Sequence, residues 1–161
     1  MDRGGNDNFY LHVCSRDSAI YFPENKASDF RVKLAKPLHL KGYWKIGLCE
    51  VGLYNVTKVN TNDNEGSTNE DSTNNDDQHC TASINCNVCT GLIVNGVQTR
   101  ILRKVLVEEN IFSVYPIVYY VPLEKDFIDT IEFSINTSDG SQLSFDLVKG
   151  WSEMTLRLKR C

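Results

Sequence analysis

The sequence predicts an all-β protein, a single jelly-roll-like antiparallel β-sandwich of about eight strands. Three observations lead to this fold class: apolar and polar residues alternate with a period of two, helical periodicity is almost absent, and turn signals separate the alternating runs. The clearest turn signals are Asn95-Gly96 and Asp139-Gly140, which favour tight hairpins. A count of eight strands around one core is that of a jelly roll.

The alternation is clearest in residues 9–13, 30–34, 130–135 and 154–159, where apolar side chains share one face and polar ones the other. This pattern is typical of strands with one face on the core and one in water. Shorter apolar runs between turn signals add further strands. Strands are expected near residues 9–14, 29–35, 43–54, 80–90, 100–107, 116–121, 128–136 and 153–160.

The apolar phase of residues 44–54 shifts by one residue part-way along the segment. Trp44, Ile46 and Leu48 share one phase, whereas Cys49, Val51 and Leu53 share the other. A shift of this kind indicates either a β-bulge or a strand that is covered on both faces.

The 161 residues suggest one domain, residues 9–161, preceded by a flexible N-terminal arm at residues 1–8. Residues 60–78 carry six acids and no Lys or Arg, and are otherwise almost entirely polar. They cannot bury an apolar face, so they predict a long acidic disordered loop, either functional or merely tolerated. Because the whole chain has a net charge of −4, the rest carries +2.

The composition also bears on partners and location. A nearly neutral body lacks the clustered Lys and Arg that nucleic acid requires, so no direct nucleic-acid contact is expected. No apolar run approaches the length of a membrane span, so no membrane partner is expected either. The N-terminus lacks the apolar core of a signal peptide, which predicts a protein that is made inside the cell and not secreted. The six cysteines are then expected to be free thiols.

One cluster raises the possibility of a metal site. His79 and Cys80 precede Cys86-Asn-Val-Cys89, and such residues can hold zinc. However, the flanking residues alternate like a strand, which would point Cys86 inward and Cys89 outward. The favoured interpretation is therefore small buried side chains, with no metal and no cofactor.

The sequence offers no recognisable catalytic site. It has three histidines and no His-x-His pair, which argues against a cupin-type enzyme, and it contains neither a Gly-x-Ser-x-Gly elbow nor a Gly-rich phosphate loop. Glu50 lies in a long apolar strand, where it is either a general acid or, as favoured, a carboxylate at a bulge or beside a cation. No catalytic residue is assigned.

Aromatic residues provide the candidate interface. Tyr119 and Tyr120 are adjacent, so at least one of them should face outward, and Pro122 marks the end of a strand. Exposed aromatics of this kind form protein hot spots or platforms for sugars. The candidate interface residues are Tyr115, Tyr119, Tyr120 and Pro122.

Several short patterns follow one another in two groups along the chain. The first group is Tyr21-Phe-Pro-Glu-Asn25, Phe30-Arg-Val-Lys-Leu34 and Gly42-Tyr-Trp-Lys-Ile-Gly-Leu-Cys-Glu50. The second is Tyr119-Tyr-Val-Pro122, Phe127-Ile-Asp-Thr-Ile-Glu132, Asp139-Gly140 and Thr155-Leu-Arg-Leu158. Their order resembles that of the short capsid proteins of Polinton (Maverick) elements and the related adintoviruses. Together with the opening strand, the resemblance covers residues 9–54 and 86–160, and the acidic loop and the many cysteines depart from it.

The resemblance implies a penton-type minor capsid protein with a single jelly roll, similar in role to the adenovirus penton base. Such a protein forms pentamers at icosahedral vertices and contacts the major capsid protein, so its location is the virion. The family has no catalytic residues to transfer to this chain. The alternative is a lectin-like or receptor-binding jelly-roll module that uses exposed tyrosines.

Overall fold

The computed structural model describes residues 7–57 and 80–161, so the acidic segment and most of the N-terminal arm lie outside the described residues. Strand β1 begins at Asn8, one residue earlier than the alternation predicts. None of the described residues forms a helix that could span a membrane. The strands are β1 (Asn8–Cys14), β2 (Asp29–His39), β3 (Trp44–Tyr54), β4 (Cys80–Cys86), β5 (Ile93–Val94), β6 (Val97–Gln98), β7 (Ile101–Val107), β8 (Asn110–Val114), β9 (Tyr120–Pro122), β10 (Phe127–Thr137) and β11 (Trp151–Arg160).

The eight longer strands form two antiparallel sheets in jelly-roll order. Sheet A has the order β1-β11-β3-β8, and the short β9 also pairs with β3; sheet B has the order β2-β10-β4-β7. Numbered along the chain, the eight strands therefore run 1-8-3-6 in one sheet and 2-7-4-5 in the other. The predicted all-β, jelly-roll-like sandwich is confirmed.

The core lies between the sheets and is built by the predicted alternation. Met154, Leu156 and Leu158 point inward from β11, while Phe30 of β2 stacks on Phe133 of β10 with ring centroids 5.3 Å apart. Both sheets contribute to one continuous cluster of buried side chains. Burial of this apolar surface is the main force that holds the two sheets together.

The phase shift in β3 arises from a β-bulge. Glu50 pairs with Thr155 and Leu48 with Leu156, which leaves Cys49 as the extra residue opposite β11. The Cys49 carbonyl instead accepts a hydrogen bond from the Tyr115 amide at 2.8 Å. Val51 and Leu53 thereby point into the core although Ile46 and Leu48 lie in the other phase.

Both predicted hairpin turns are present. Asn95 and Gly96 have φ values of 50° and 75° and connect β5 to β6, as a type I′ turn requires. Gly140, with φ of 88°, closes the turn between Thr137 and Ser141, and Asn136 bridges to Gln142 beyond it.

Strand boundaries differ from the sequence prediction in several places. Strand β2 continues to His39, beyond the predicted end at 35, and the short β5 and β6 were not predicted. Two predicted strands differ more. The strand predicted at 80–90 ends at Cys86, because Asn87 and Val88 form a turn. The strand predicted at 116–121 is replaced by β8 and β9, with residues 115–119 connecting them. Pro116 lacks an amide hydrogen for a sheet ladder, which favours such a break.

Candidate interface

The β8–β9 region, residues 110–122, contains the four predicted interface residues, of which Tyr115 packs against the core and the others lie on or near sheet A. Tyr120 and Pro122 belong to β9, whose residues lie opposite Gly47 and Lys45 of β3, and Val121 between them is buried. Tyr120 is half-buried, and the Lys159 ammonium lies 5.4 Å from its ring centroid. Tyr120 and Pro122 therefore belong to the outer face of sheet A.

Tyr115 and Tyr119 enclose the guanidinium of Arg103, a residue of β7. The Arg103 Cζ lies 3.7 Å from the Tyr115 ring centroid and 4.2 Å from that of Tyr119. Its Nη1 also donates a hydrogen bond to the Ile117 carbonyl at 2.8 Å. A planar guanidinium fits between the two tyrosine rings better than an ammonium would, because it stacks on aromatic faces. Arg103 thus ties residues 115–119 to the edge of sheet B.

The pKa of the Tyr115 phenol depends on its burial and on the neighbouring Arg103. Burial raises the pKa of the Tyr115 phenol, and the positive charge of Arg103 opposes that rise in pKa. Tyr115 is therefore a neutral phenol near pH 7, and its ring is available as a stacking partner for the guanidinium.

A glycine allows residues 115–119 to cross β3 closely. A Cβ atom on Gly47 would lie 2.4 Å from the Val118 Cγ1 and 2.9 Å from the Tyr119 carbonyl oxygen. Neither distance is tolerable for a real Cβ atom, and the second neighbour is backbone. Only glycine permits this packing at position 47.

Exposed apolar side chains lie on β8, an edge strand of sheet A, and on the segment that follows it. Among residues 7–57 and 80–161, strand β8 pairs with β3 on one side only, and its outward side chains are Phe112 and Val114, which are 52% and 59% exposed. Ile117 and Tyr119, in the segment that follows β8, are also exposed, by 71% and 52%. We call Phe112, Val114, Ile117 and Tyr119 the apolar edge. Exposed apolar side chains grouped beside a free strand edge are typical of association sites.

The sequence pattern indicated the tyrosines but not Arg103 or the outward residues of β8. Phe112 and Val114 alternate with the half-buried Ile111 and Ser113, a period-two signal only five residues long. The pairing of Arg103 with two tyrosines has no sequence signal, because it joins residues from opposite sheets.

A polar row crosses the outer face of sheet A beside the apolar edge. Thr155 donates a hydrogen bond to a Glu50 carboxylate oxygen at 2.7 Å, and its Oγ1 lies 3.2 Å from the His12 Nδ1. The His12 Nε2 lies 3.7 Å from a Glu153 carboxylate oxygen, and Tyr54 donates to the other oxygen of Glu153. Glu50 thus lies at the β-bulge, which is one of the two favoured expectations, and its carboxylate accepts a hydrogen bond from a threonine hydroxyl.

This row contains a hydroxyl, an imidazole and carboxylates, as a nucleophilic site would. Its Thr155 lies on β11, which is paired with β1 on one side and β3 on the other. The backbone amides around it are therefore committed to the sheet ladder and cannot stabilise an oxyanion. The arrangement supports cross-strand pairing and offers no support for acyl-transfer chemistry.

The cysteine prediction needs one correction. Cys89 points inward and is fully buried like Cys86, because the chain turns at Asn87 and Val88 and does not continue as a strand. The Cys89 thiol lies 3.6 Å from the Cys86 carbonyl oxygen. A hydrogen bond to the Cys86 side chain and then burial raise the pKa of Cys89. Within residues 7–57 and 80–161, no three His, Cys, Asp or Glu side chains are grouped as metal ligands, and His79 lies outside the described residues.

No protein-family model matches the sequence, and no curated protein matches it.

Proposed function

We propose that this chain is a non-enzymatic viral structural protein, a penton-type minor capsid protein that self-assembles and contacts a major capsid protein. In this proposal it forms pentamers at icosahedral vertices, resides in the virion, and contacts neither nucleic acid nor membrane directly. It needs no cofactor. The single observation that carries the proposal is the jelly-roll strand order combined with the apolar edge on β8.

The apolar edge supports self-association because it is held in place before any partner arrives. Arg103 fixes Tyr119, the Gly47 contact fixes Val118, and β3 fixes β8. A surface that is already ordered loses little conformational entropy on binding. An asymmetric contact between this edge and a different surface of the next copy can close into a ring.

The outer face of sheet B provides the contrast. Its Arg31 lies 3.4 Å from Glu132, and its Lys33 lies 2.7 Å from Asp129. These cations are neutralised within the chain and remain in contact with water. This comparison favours sheet A, and the β8 edge in particular, as the association surface.

The test is the mass of the full chain in solution, measured by light scattering after size exclusion over a range of concentrations. We expect an assembly of about five copies of the 18.3 kDa chain. Val114→Lys should shift the midpoint of assembly to at least tenfold higher concentration, because it places a charge in the contact. Ile93→Lys, at an equally exposed position on β5, is the matched control. A monomer at every concentration would contradict the proposal.

A second candidate function is a lectin-like or receptor-binding module. A shallow depression of about 280 Å³ on the outer face of sheet B is lined by hydroxyl and amide side chains, including Thr81, Ser83, Asn85 and Asn136. Such groups match the hydrogen-bonding pattern of a polyhydroxylated ligand. Saturable binding of the monomer on a glycan array, lost in Asn85→Ala, would favour this alternative.

A further inference from the structure

One end of the outer face of sheet A carries a group of cations in contact with tyrosines. Lys45 of β3 and Lys159 of β11 are directly opposite each other, and Arg157 lies two residues from Lys159 on the same face. Like charges directly opposite in a sheet repel each other. We call these three cations, together with Tyr10, Tyr43 and Tyr120, the cationic face.

The three cations have aromatic neighbours in place of acidic ones. Arg157 lies 5.6 Å from the Tyr10 ring centroid, Lys45 lies 5.8 Å from that of Tyr43, and Lys159 lies beside Tyr120 as described above. The salt bridges found among the described residues involve none of the three. The nearby Arg160 is paired with Asp7, so it adds no uncompensated charge.

Arg157 has an additional unmet requirement. Its Nε is buried and has no hydrogen-bond acceptor in the described part of the chain. A buried donor without a partner is costly, and a guanidinium prefers a carboxylate or phosphate oxygen. Because Lys45, Arg157 and Lys159 carry three positive charges with no salt-bridge partner among the described residues, the cationic face has the charge of a binding site for an acidic ligand.

The chain itself contains a ligand of this chemistry. Residues 60–78 carry six carboxylates and no Lys or Arg, while the rest of the chain carries +2. We propose that the cationic face of one copy binds the acidic segment, residues 60–78, of a neighbouring copy. The inference rests on the proposed function, because it names the partner of a second surface in the same assembly.

The position of the segment favours the neighbour over the same copy. Its ends attach near each other: the Val56 amide donates to the Glu109 carbonyl, and Cys80 lies opposite Val107, two residues before Glu109. Lys45 lies at the far end of β3 from Thr57. The nine residue steps from Lys45 to Tyr54 correspond to a distance of about 30 Å along the strand.

Chain length limits what the segment could do within one copy. The 22 residues between Thr57 and Cys80 could reach at most about 38 Å when doubled back and fully extended. Only the tip would arrive at the cationic face, at a large cost in backbone entropy. The segment of an adjacent copy has no such restriction, and the resulting contact joins opposite ends of two molecules, as a closed ring requires.

The experiment measures segment binding separately from assembly. The acceptor is the full chain in which the six acids are changed to amides (D63N, E65Q, E70Q, D71N, D76N and D77N), so that its own segment does not compete. The probe is a fluorescent synthetic peptide of residues 60–78, followed by anisotropy in 0.1 M salt. We expect saturable binding with one peptide per chain, weakened at least tenfold in 0.5 M salt because the contact is ionic.

Two variants of the acceptor test the location. Lys159→Glu should weaken peptide binding at least tenfold, and Lys45→Gln, made separately, should weaken it at least threefold. Neither substitution should change thermal unfolding. Lys104→Glu, which changes the same charge on the exposed β7 edge of sheet B, is the matched control and should bind normally.

Several results would overturn the inference. These are an absence of saturable binding, equal binding by the peptide with all six acids amidated, and an equal loss of binding in Lys104→Glu. Tighter binding of a single-stranded oligonucleotide than of the peptide would reassign the cationic face to nucleic acid. Because the titration detects binding to a monomer, it can succeed or fail whether or not light scattering finds an assembly.

Discussion

At the scale of single residues, Arg103 fixes the shape of the candidate interface. Its guanidinium fills the space between Tyr115 and Tyr119 and donates to the Ile117 carbonyl. No other side chain offers a flat cation together with several donors. The position of residues 115–119 should therefore be sensitive to a substitution that retains the charge.

Arg103→Lys should lower the free energy of unfolding by about 1–2 kcal/mol, because the ammonium cannot stack between both rings. It should also increase hydrogen exchange at residues 115–119. Urea unfolding and exchange measured by mass spectrometry check these results. Lys104→Arg, at the adjacent exposed position, should change the unfolding free energy by less than about 0.5 kcal/mol. Equal effects of the two substitutions would contradict this role of Arg103.

Asp139 gives a residue-scale prediction about pH. Its carboxylate accepts hydrogen bonds from the Ser141 and Thr137 hydroxyls and the Ser141 amide, which lower the pKa of Asp139 to about 2. A lowered pKa in the folded state stabilises the fold above the ordinary value near 4, and this stabilisation is lost as the pH falls toward 2.

The difference in thermal midpoint between wild type and Asp139→Asn should accordingly be present at pH 6 and disappear near pH 2. An NMR titration of the side-chain carboxyl should give Asp139 a pKa of about 2. A constant difference across the pH range would show that the charge of Asp139 does not stabilise the turn.

At the scale of elements, the regular strands followed from the sequence, whereas the β8–β9 region did not. Period-two alternation predicted β3, and its phase shift indicated either a bulge or burial on both faces, of which the structure has the bulge. Asn95-Gly96 predicted the turn that joins β5 to β6. The segment 110–122 was harder, because β8 is short and its outward residues are apolar. Its course depends on Arg103 from the other sheet and on the close approach at Gly47, neither of which leaves a local pattern.

Gly47→Ala tests the packing of one element on another. The added methyl group would collide with Val118 and with the Tyr119 carbonyl, so residues 118–120 must move away from β3. We expect a loss of about 1–3 kcal/mol in the free energy of unfolding. Because the displaced segment carries Tyr119, the midpoint of assembly should also rise.

Combining Gly47→Ala with Val118→Ala provides the control, since it removes the closest clash and leaves the backbone one. The double variant should recover part of the lost stability beyond the sum of the two single changes. Strict additivity in urea unfolding would mean that Val118 does not lie over Gly47 in solution.

At the scale of the whole molecule, the jelly-roll order makes the end of the chain essential to its beginning. Strand β11 lies between β1 and β3, so the first strand has no sheet partner until the last one is in place. β11 also supplies Met154, Leu156 and Leu158 to the core. This arrangement is one in which contacts distant in sequence dominate, which predicts slow and highly cooperative folding.

A chain that ends at residue 150 should therefore fail to fold as a unit. It lacks the central strand of sheet A, and the inner faces of β1 and β3 would be exposed to water. We expect no cooperative urea transition. We also expect no near-ultraviolet circular dichroism signal from Trp44, the one tryptophan that the shortened chain retains. Removal of Cys161 alone, an exposed residue beyond β11, is the control and should leave the transition unchanged. A cooperative transition in the chain ending at residue 150 would mean that sheet B and the rest of sheet A are stable without their connecting strand.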